Sequence, residues 1–336
     1  MDDVLASVGR LASETSFSGV LRVDRGQDVL LEEAHGFADR AHAIPNAVTT
    51  RFPIASGVKG MTALSVVSLI EEGSLDWSTT ARSILGDDLP LIDDTVTVEQ
   101  LLAHRSGIGD YFDEDLGQEI TDYALPVPVH RLVTTEDYLQ VLGGYPMKFQ
   151  PGERFSYCNG GFVVLALIAE RISGTPFHEL VRRRVCEPAG MPDTAFRRSD
   201  ELPGNVALNY LFEEENRTNV LHLAVLGSGD GGISTTLADL HAFWRALFED
   251  RIVSKASRVE MTRPRSDVPR EEKRYGLGFW LSATGDAVIL EGYDAGVSFR
   301  TAHDPATHVT YTVISNWSDG AWQLVEVLDD SLLPHD

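Results

Sequence analysis

The sequence predicts an α+β protein in which an antiparallel sheet, built from both chain ends and flanked by helices, holds an inserted, mainly helical lobe. Three observations carry this. Alternating apolar segments are confined to residues 17–37 and 275–315, the stretch between them has helical periodicity, and a helix opens and closes the chain. The boundaries drawn from this pattern are 1–60 and 228–336 for the sheet lobe and 61–227 for the helical lobe. They form one structural unit with a crevice between the lobes, a common place for a small ligand. With 336 residues, 43% of them hydrophobic, the chain can bury a large core.

Taken in order, residues 2–13 form an amphipathic helix with Val4, Leu5, Val8 and Leu11 on one face. Residues 17–23 alternate, 24–27 turn, and 28–37 return as a second strand. From 60 to about 199 the pattern is helical, and residues 160–173 are a strongly apolar helix closed by Gly174. Residues 202–220 are irregular and polar, an insertion or lid. Residues 234–248 are helical. Strands follow at 275–282, 287–291, 298–303 and 309–315, and a helix at 321–328 ends the chain.

The charge sum of 28 basic against 51 acidic residues gives −23, which lacks the cationic footprint that nucleic acids or an anionic membrane surface require. The longest apolar run, residues 162–169, is too short to span a bilayer, which takes about 20 residues. The start, Met1-Asp2-Asp3-Val4, carries no leader pattern, and Cys158 and Cys186 read as reduced thiols, so the expected compartment is the cytoplasm, the alternative being a protein whose leader has been trimmed.

The candidate chemistry begins at Ser56-Gly57-Val58-Lys59. A spacing of three places hydroxyl and amine on one helical face. A desolvated lysine can be neutral enough to take the serine proton, and a helix start offers free N–H groups to an oxyanion. The second element is Tyr157-Cys158-Asn159, whose phenol can relay a proton and whose amide can hold a substrate carbonyl. Each pattern occurs by chance about 0.2–0.3 times in a chain of this composition, so their meaning comes from context.

That context is a resemblance to the penicillin-recognising serine hydrolases, in the class C β-lactamase-like branch that includes D-Ala-D-Ala carboxypeptidases, D-amino-peptidases and amidases, and carboxylesterases. Five segments occur in the family's order. They are Phe52-Pro53-Ile54-Ala55-Ser56-Gly57-Val58-Lys59, Leu101-Leu102-Ala103-His104-Arg105-Ser106-Gly107-Ile108, the run from Phe149 to Phe162 around Tyr157-Cys158-Asn159, Ile172-Ser173-Gly174-Thr175-Pro176-Phe177, and Glu187-Pro188-Ala189-Gly190-Met191. The resemblance implies a β-lactamase/transpeptidase-like fold and an acyl-enzyme on Ser56, with Lys59 as base, Tyr157 as proton relay and Asn159 orienting the substrate. It implies no cofactor and no metal, and a small-molecule or short-peptide substrate; oligomeric state is left open.

The third family motif departs from the pattern. Where relatives place Lys-x-Gly or His-x-Gly, this chain has Leu290-Glu291-Gly292-Tyr293. The resemblance then makes Glu291 and Gly292 substrate-facing and the Tyr293 N–H the second oxyanion donor, with the register open toward 293–295. The usual cation is missing, its slot holding Leu290 with Glu291 beside it. That favours an esterase-, amidase- or peptidase-like enzyme with weak or no β-lactamase activity. The alternative is a non-catalytic binding module that keeps the fold and cleft.

Three other patterns are set aside. Gly227-Ser228-Gly229-Asp230-Gly231-Gly232 satisfies a dinucleotide fingerprint, but no parallel strand follows its helix. His104 invites a Ser-His-Asp triad, but no G-x-S-x-G elbow exists, and a structural turn is the preferred reading. The ten histidines include no pair at metal-binding spacing.

Overall fold

The computed structural model describes residues 1–333. Its centre is an eight-stranded antiparallel sheet of β1 (Gly19–Arg25), β2 (Asp28–His35), β3 (Ser266–Val268), β4 (Lys273–Tyr275), β5 (Trp280–Ser282), β6 (Val288–Asp294), β7 (Val297–Asp304) and β8 (Val309–Ser315). The spatial order is β2-β1-β8-β7-β6-β5-β4-β3. The two chain ends therefore meet inside one sheet, where Gly19 to Arg25 pair antiparallel with Ser315 to Val309. This is the β-lactamase/transpeptidase-like arrangement that the sequence predicts.

Strand alternation sends successive side chains to opposite faces. Ile289, Ala302 and Val313 face the terminal helices α1 (Asp2–Glu14) and α5 (Trp322–Leu332), which contribute Val8, Leu324 and Leu328. Val288, Leu290, Phe299 and Ile314 face the larger core. There lie α2 (Val58–Glu71), α3 (Asn159–Ser173) and α4 (Leu237–Phe248). Residues 58–69 of α2 and 159–169 of α3 are buried without exception. A helix that is apolar all round must run through a core, and these two pack against each other.

Several expectations shift. Most of 103–158 is irregular, with only short helical turns such as Leu139–Leu142, because turn-forming 104–107 and the Pro126/Pro128 pair interrupt any helix. Residues 234–235 belong to a short strand, Ile233–Thr235, and Thr236 caps α4. The strand expected at 275–282 is two strands. Gly276 and Gly278 turn the chain between them, and a Cβ at Gly278 would sit 2.3 Å from that of Ala63. The strand at 266–268, hidden in a charged sequence, extends the sheet edge.

Short strands fix the start of α2. Phe52–Pro53 pairs with Ile233–Thr235, which also pairs with Ala195–Phe196. Below, Phe299 is fully buried, and a Cβ at Gly57 would come within 2.4 Å of its ring. Phe299→Ala is expected to cost about 3–5 kcal/mol by removing this support. Urea denaturation measures it; a loss under about 1 kcal/mol would mean the turn does not rest on this ring.

Candidate active site

The turn Ala55–Gly57 leads into α2 and carries Ser56. Ala55, immediately before it, holds φ +45°, a costly conformation for a residue with a Cβ, seen where structure holds a site in place. Lys59 follows three residues on, and its Nζ lies 2.7 Å from Ser56 Oγ. The same nitrogen is 2.8 Å from Asn159 Oδ1 and 3.1 Å from the Asp230 carbonyl oxygen. The side chain is buried, and that burial lowers its pKa below the usual 10.5 although Asp230, Glu114 and Asp294 pull the other way. A neutral amine has two hydrogens and one lone pair. Given to Asn159 and Asp230, the hydrogens leave the lone pair for the Ser56 hydroxyl.

Tyr157 closes the other side. Its phenol shares the cleft with Ser56, and burial holds its pKa well above 10, so it stays protonated ahead of reaction. The ring stacks on Trp280 at 8°, packs on His104 with centroids 4.3 Å apart, and lies 4.8 Å from Lys59 Nζ. His104 is thus a structural group. It has φ +53°, its Nδ1 accepts the Cys158 N–H at 3.0 Å, and burial lowers its pKa, keeping it neutral. Cys158 is a buried filler whose thiol is likewise pushed up by burial.

Asn159 is fully engaged. Besides accepting from Lys59, its amide donates to the Phe112 carbonyl and to Glu114, both at 3.1 Å. It therefore joins the lysine to the 112–114 segment across the cleft. Asp110 fixes the start of α3 by accepting the N–H groups of Asn159 at 2.6 Å and Gly160 at 2.8 Å. The glycine-rich 227–232 segment is a turn built for this site. Its Asp230 carbonyl meets Lys59, its Gly229 carbonyl accepts from Thr62 at 2.7 Å, and a Cβ at Gly229 would strike the Phe162 carbonyl.

The third motif lies on β6, whose edge is left unpaired beyond Ile289 because β5 covers only Val288 and Ile289. Gly292 is forced. A Cβ there would lie 2.1 Å from the Ile54 carbonyl and 2.9 Å from Ser56 N. Leu290 does not occupy the cleft as expected; it is buried in the core beside Gly60 and Phe279. Glu291 lines the cleft, but its carboxylate pairs with Lys273 at 3.0 Å and with Arg300, so it is neutralised. Arg300 also binds Asp329, and Arg105 binds Ser266 and the Gly152 carbonyl, so neither supplies the missing cation.

The cleft in front of Ser56 measures about 650 Å³ and is lined by Asp110, Asp113, Glu114, Glu119, Glu271 and Glu291 against Lys148 and Arg270. Both cations are spoken for. Lys148 pairs with Asp113 and Asp115, and Arg270 with Asp115 and Glu271.

A serine, a buried lysine, a tyrosine and a glycine-tight strand edge now stand together in this fold, and comparison with known proteins agrees. The Beta-lactamase family model matches residues 9–328. The chain belongs to the beta-lactamase family. It is thereby a member of the penicillin-recognising serine hydrolase superfamily. It is 29% identical over 301 residues to penicillin-binding protein 4* of Bacillus subtilis, covering 85% of this chain and 64% of that protein. It is 28% identical over 283 residues to a D-aminopeptidase of Brucella ovis, covering 80% and 49%. The chain thus spans less than two thirds of the length of these curated relatives. A solved penicillin binding protein from Bacillus halodurans superposes with a TM-score of 0.89 at 33% identity, covering 96% of this chain and 99% of that one.

Within this beta-lactamase family member, sequence reasoning missed Asp110, Glu114, Asp230 and Trp280. Only Asp230 had a signal, the glycine cluster around it; Asp110 and Glu114 reach the site through irregular backbone and Trp280 from a separate strand, which motif spacing does not encode. Gly292→Ala is expected to lower kcat/KM about 100-fold by pushing β6 off the Ser56 turn. Steady-state kinetics on a chromogenic ester measures this; near-wild-type turnover would show that the close approach is dispensable.

Proposed function

We propose that this chain is a serine hydrolase working through an acyl-enzyme on Ser56. The observation that carries the reading is the Lys59 amine, buried, 2.7 Å from Ser56 Oγ and within hydrogen-bond distance of two other oxygens, those of the Asn159 amide and the Asp230 carbonyl. Lys59 takes the Ser56 proton as the oxygen bonds to the substrate carbonyl carbon. The N–H groups of Ser56 and Tyr293 receive the oxyanion, with Gly292 allowing the approach. Tyr157 passes the proton to the leaving nitrogen or oxygen as that bond breaks. Water then attacks the acyl carbon, gives up its proton through the same groups, and Ser56 leaves with its hydroxyl restored. Asn159 holds Lys59 through its amide oxygen, its amide hydrogens being given to Phe112 and Glu114 rather than to the substrate. No step calls for a cofactor.

For substrate, an ester, amide or short peptide is proposed, neutral or cationic, with weak β-lactamase activity at most. The support is the acidic cleft without an unpaired cation among the described residues. Relatives carry names such as D-aminopeptidase, and the fold is shared with an esterase and a D-amino acid amidase. The missing third-motif cation favours a second reading, a binding module without turnover. A fluorophosphonate probe separates the two by labelling Ser56 only in an enzyme.

Ser56→Ala is expected to lower kcat about 10⁶-fold. Lys59→Ala should be nearly as severe, read by steady-state kinetics with thermal melts as a folding control. More than about a tenth of wild-type rate in Lys59→Ala would remove the base assignment. Penicillin G and nitrocefin should be turned over about 10- to 150-fold less efficiently than a short-chain p-nitrophenyl ester, the effect of one missing charge-assisted contact. Penicillin kcat/KM equal to that of the ester would contradict it.

A further inference from the structure

Beside Ser56 lies a smaller pocket, lined by Ser56 but not by Tyr157, that the proposed chemistry leaves unused. Ser56, Asn159, Asp230, Asp294 and His222 line it with aromatic rings including Tyr111 and Tyr138. Asp294 arrives there by strand periodicity. Leu290, Gly292 and Asp294 share one face of β6, so with Gly292 against Ser56 N, Asp294 comes one step further along the same wall. The turn after it is pinned, because Asn219 donates to the Ala295 carbonyl at 2.8 Å and Ser318 accepts the Gly296 N–H at 2.9 Å.

The pocket lacks a positive charge of its own. Asp294 has no side-chain hydrogen-bond partner among the described residues. Burial, with Asp230 and Glu114 nearby, pushes its carboxyl up to about 7 against the pull of Lys59. The Asp230 carboxylate accepts the Tyr111 hydroxyl and its own backbone N–H, neither of them a charged donor. His222 is an independent sign. It is 9% exposed, and its Nε2 meets the Thr121 carbonyl at 3.1 Å, which requires that nitrogen to donate. In the neutral imidazole Nδ1 is then an acceptor, and it is buried with no partner. Two carboxylates, an unpartnered imidazole acceptor and aromatic faces are the complement of a primary ammonium, which brings three donors and one charge.

We propose that this pocket is the subsite for a primary ammonium on the acyl part of the substrate, with Asp294 as its principal anchor. The inference rests on the acyl-enzyme reading above, in which the cleft that Tyr157 lines takes the leaving group and the pocket that shares Ser56 without Tyr157 takes the acyl part. It narrows the substrate class to amides, esters or peptides with a free amino group near the scissile carbonyl.

The test compares kcat/KM for each enantiomer of phenylalanine p-nitroanilide with that for 3-phenylpropionyl p-nitroanilide, which lacks only the amine. Wild type should prefer one amino compound at least tenfold. Asp294→Asn should reduce that preference about 10- to 150-fold, the effect of losing a charge-assisted hydrogen bond, and Asp294→Glu should restore part of it. The ratio is the readout, since a merely structural change lowers both rates together and leaves it unmoved. Equal rates in wild type for the amino and des-amino compounds, or an unmoved ratio in Asp294→Asn, would overturn the subsite while leaving the hydrolase intact. No turnover of any substrate, with Ser56 unlabelled by a fluorophosphonate, would remove the underlying reading and the subsite with it.

Discussion

The amine of Lys59 is enclosed by α2, α3 and the 227–232 turn, and the other features of the site follow from keeping it there without a contacting carboxylate. Its three close partners are a hydroxyl, an amide oxygen and a backbone carbonyl. None carries a formal charge. A carboxylate in any of these positions would hold the ammonium form, whereas burial among neutral acceptors favours the free base. The surrounding acids are kept at one remove. Asp230 presents its carbonyl to the lysine and its carboxylate to Tyr111, Glu114 acts through Asn159, and Asp110 caps α3.

This arrangement explains features that have no direct part in chemistry. α2 and α3 must approach closely for Lys59 and Asn159 to meet, which is why both are apolar on every side over most of their length. The 227–232 turn must deliver a carbonyl between them, so its glycines sit where a Cβ would strike backbone, as at Gly227 against the Gly231 carbonyl. The sheet supplies the remaining wall. Closing it with strands from both chain ends leaves β6 in its interior, yet the shortness of β5 exposes the Gly292–Asp294 edge to the cleft.

Much of this was legible in the sequence, for reasons that differ by element. Ser56 and Lys59 share a short helical start, and Tyr157 and Asn159 lie just ahead of a strongly apolar helix; spacing alone left both patterns near chance, and the family resemblance of the segments around them singled out all four. The termini read as strands because their alternation is clean, and one sheet joining them follows from the need to pair edges. The segment 103–158 was not legible. Its conformation is set by side-chain to backbone bonds such as Asn159 to Phe112 and Cys158 N–H to His104, which leave no periodic trace. Glu291 shows the same limit. A lone carboxylate beside the third motif read as repulsive, but its partners Lys273 on β4 and Arg300 on β7 are distant in sequence and cancel it. Asp294 lay inside the register window around the third motif, yet only the strand's face and the position of Gly292 bring it to the pocket.

The central claim is that Lys59 works as a neutral base on Ser56. The most direct measurement is the second-order rate of fluorophosphonate addition to the wild-type protein as a function of pH, with the adduct located by peptide mass spectrometry. The account predicts label on Ser56 and a rate that falls as pH is lowered and the amine takes up a proton. The midpoint should lie below 10.5, because burial lowers the Lys59 pKa. Label at another residue, or a midpoint at or above 10.5, would contradict it.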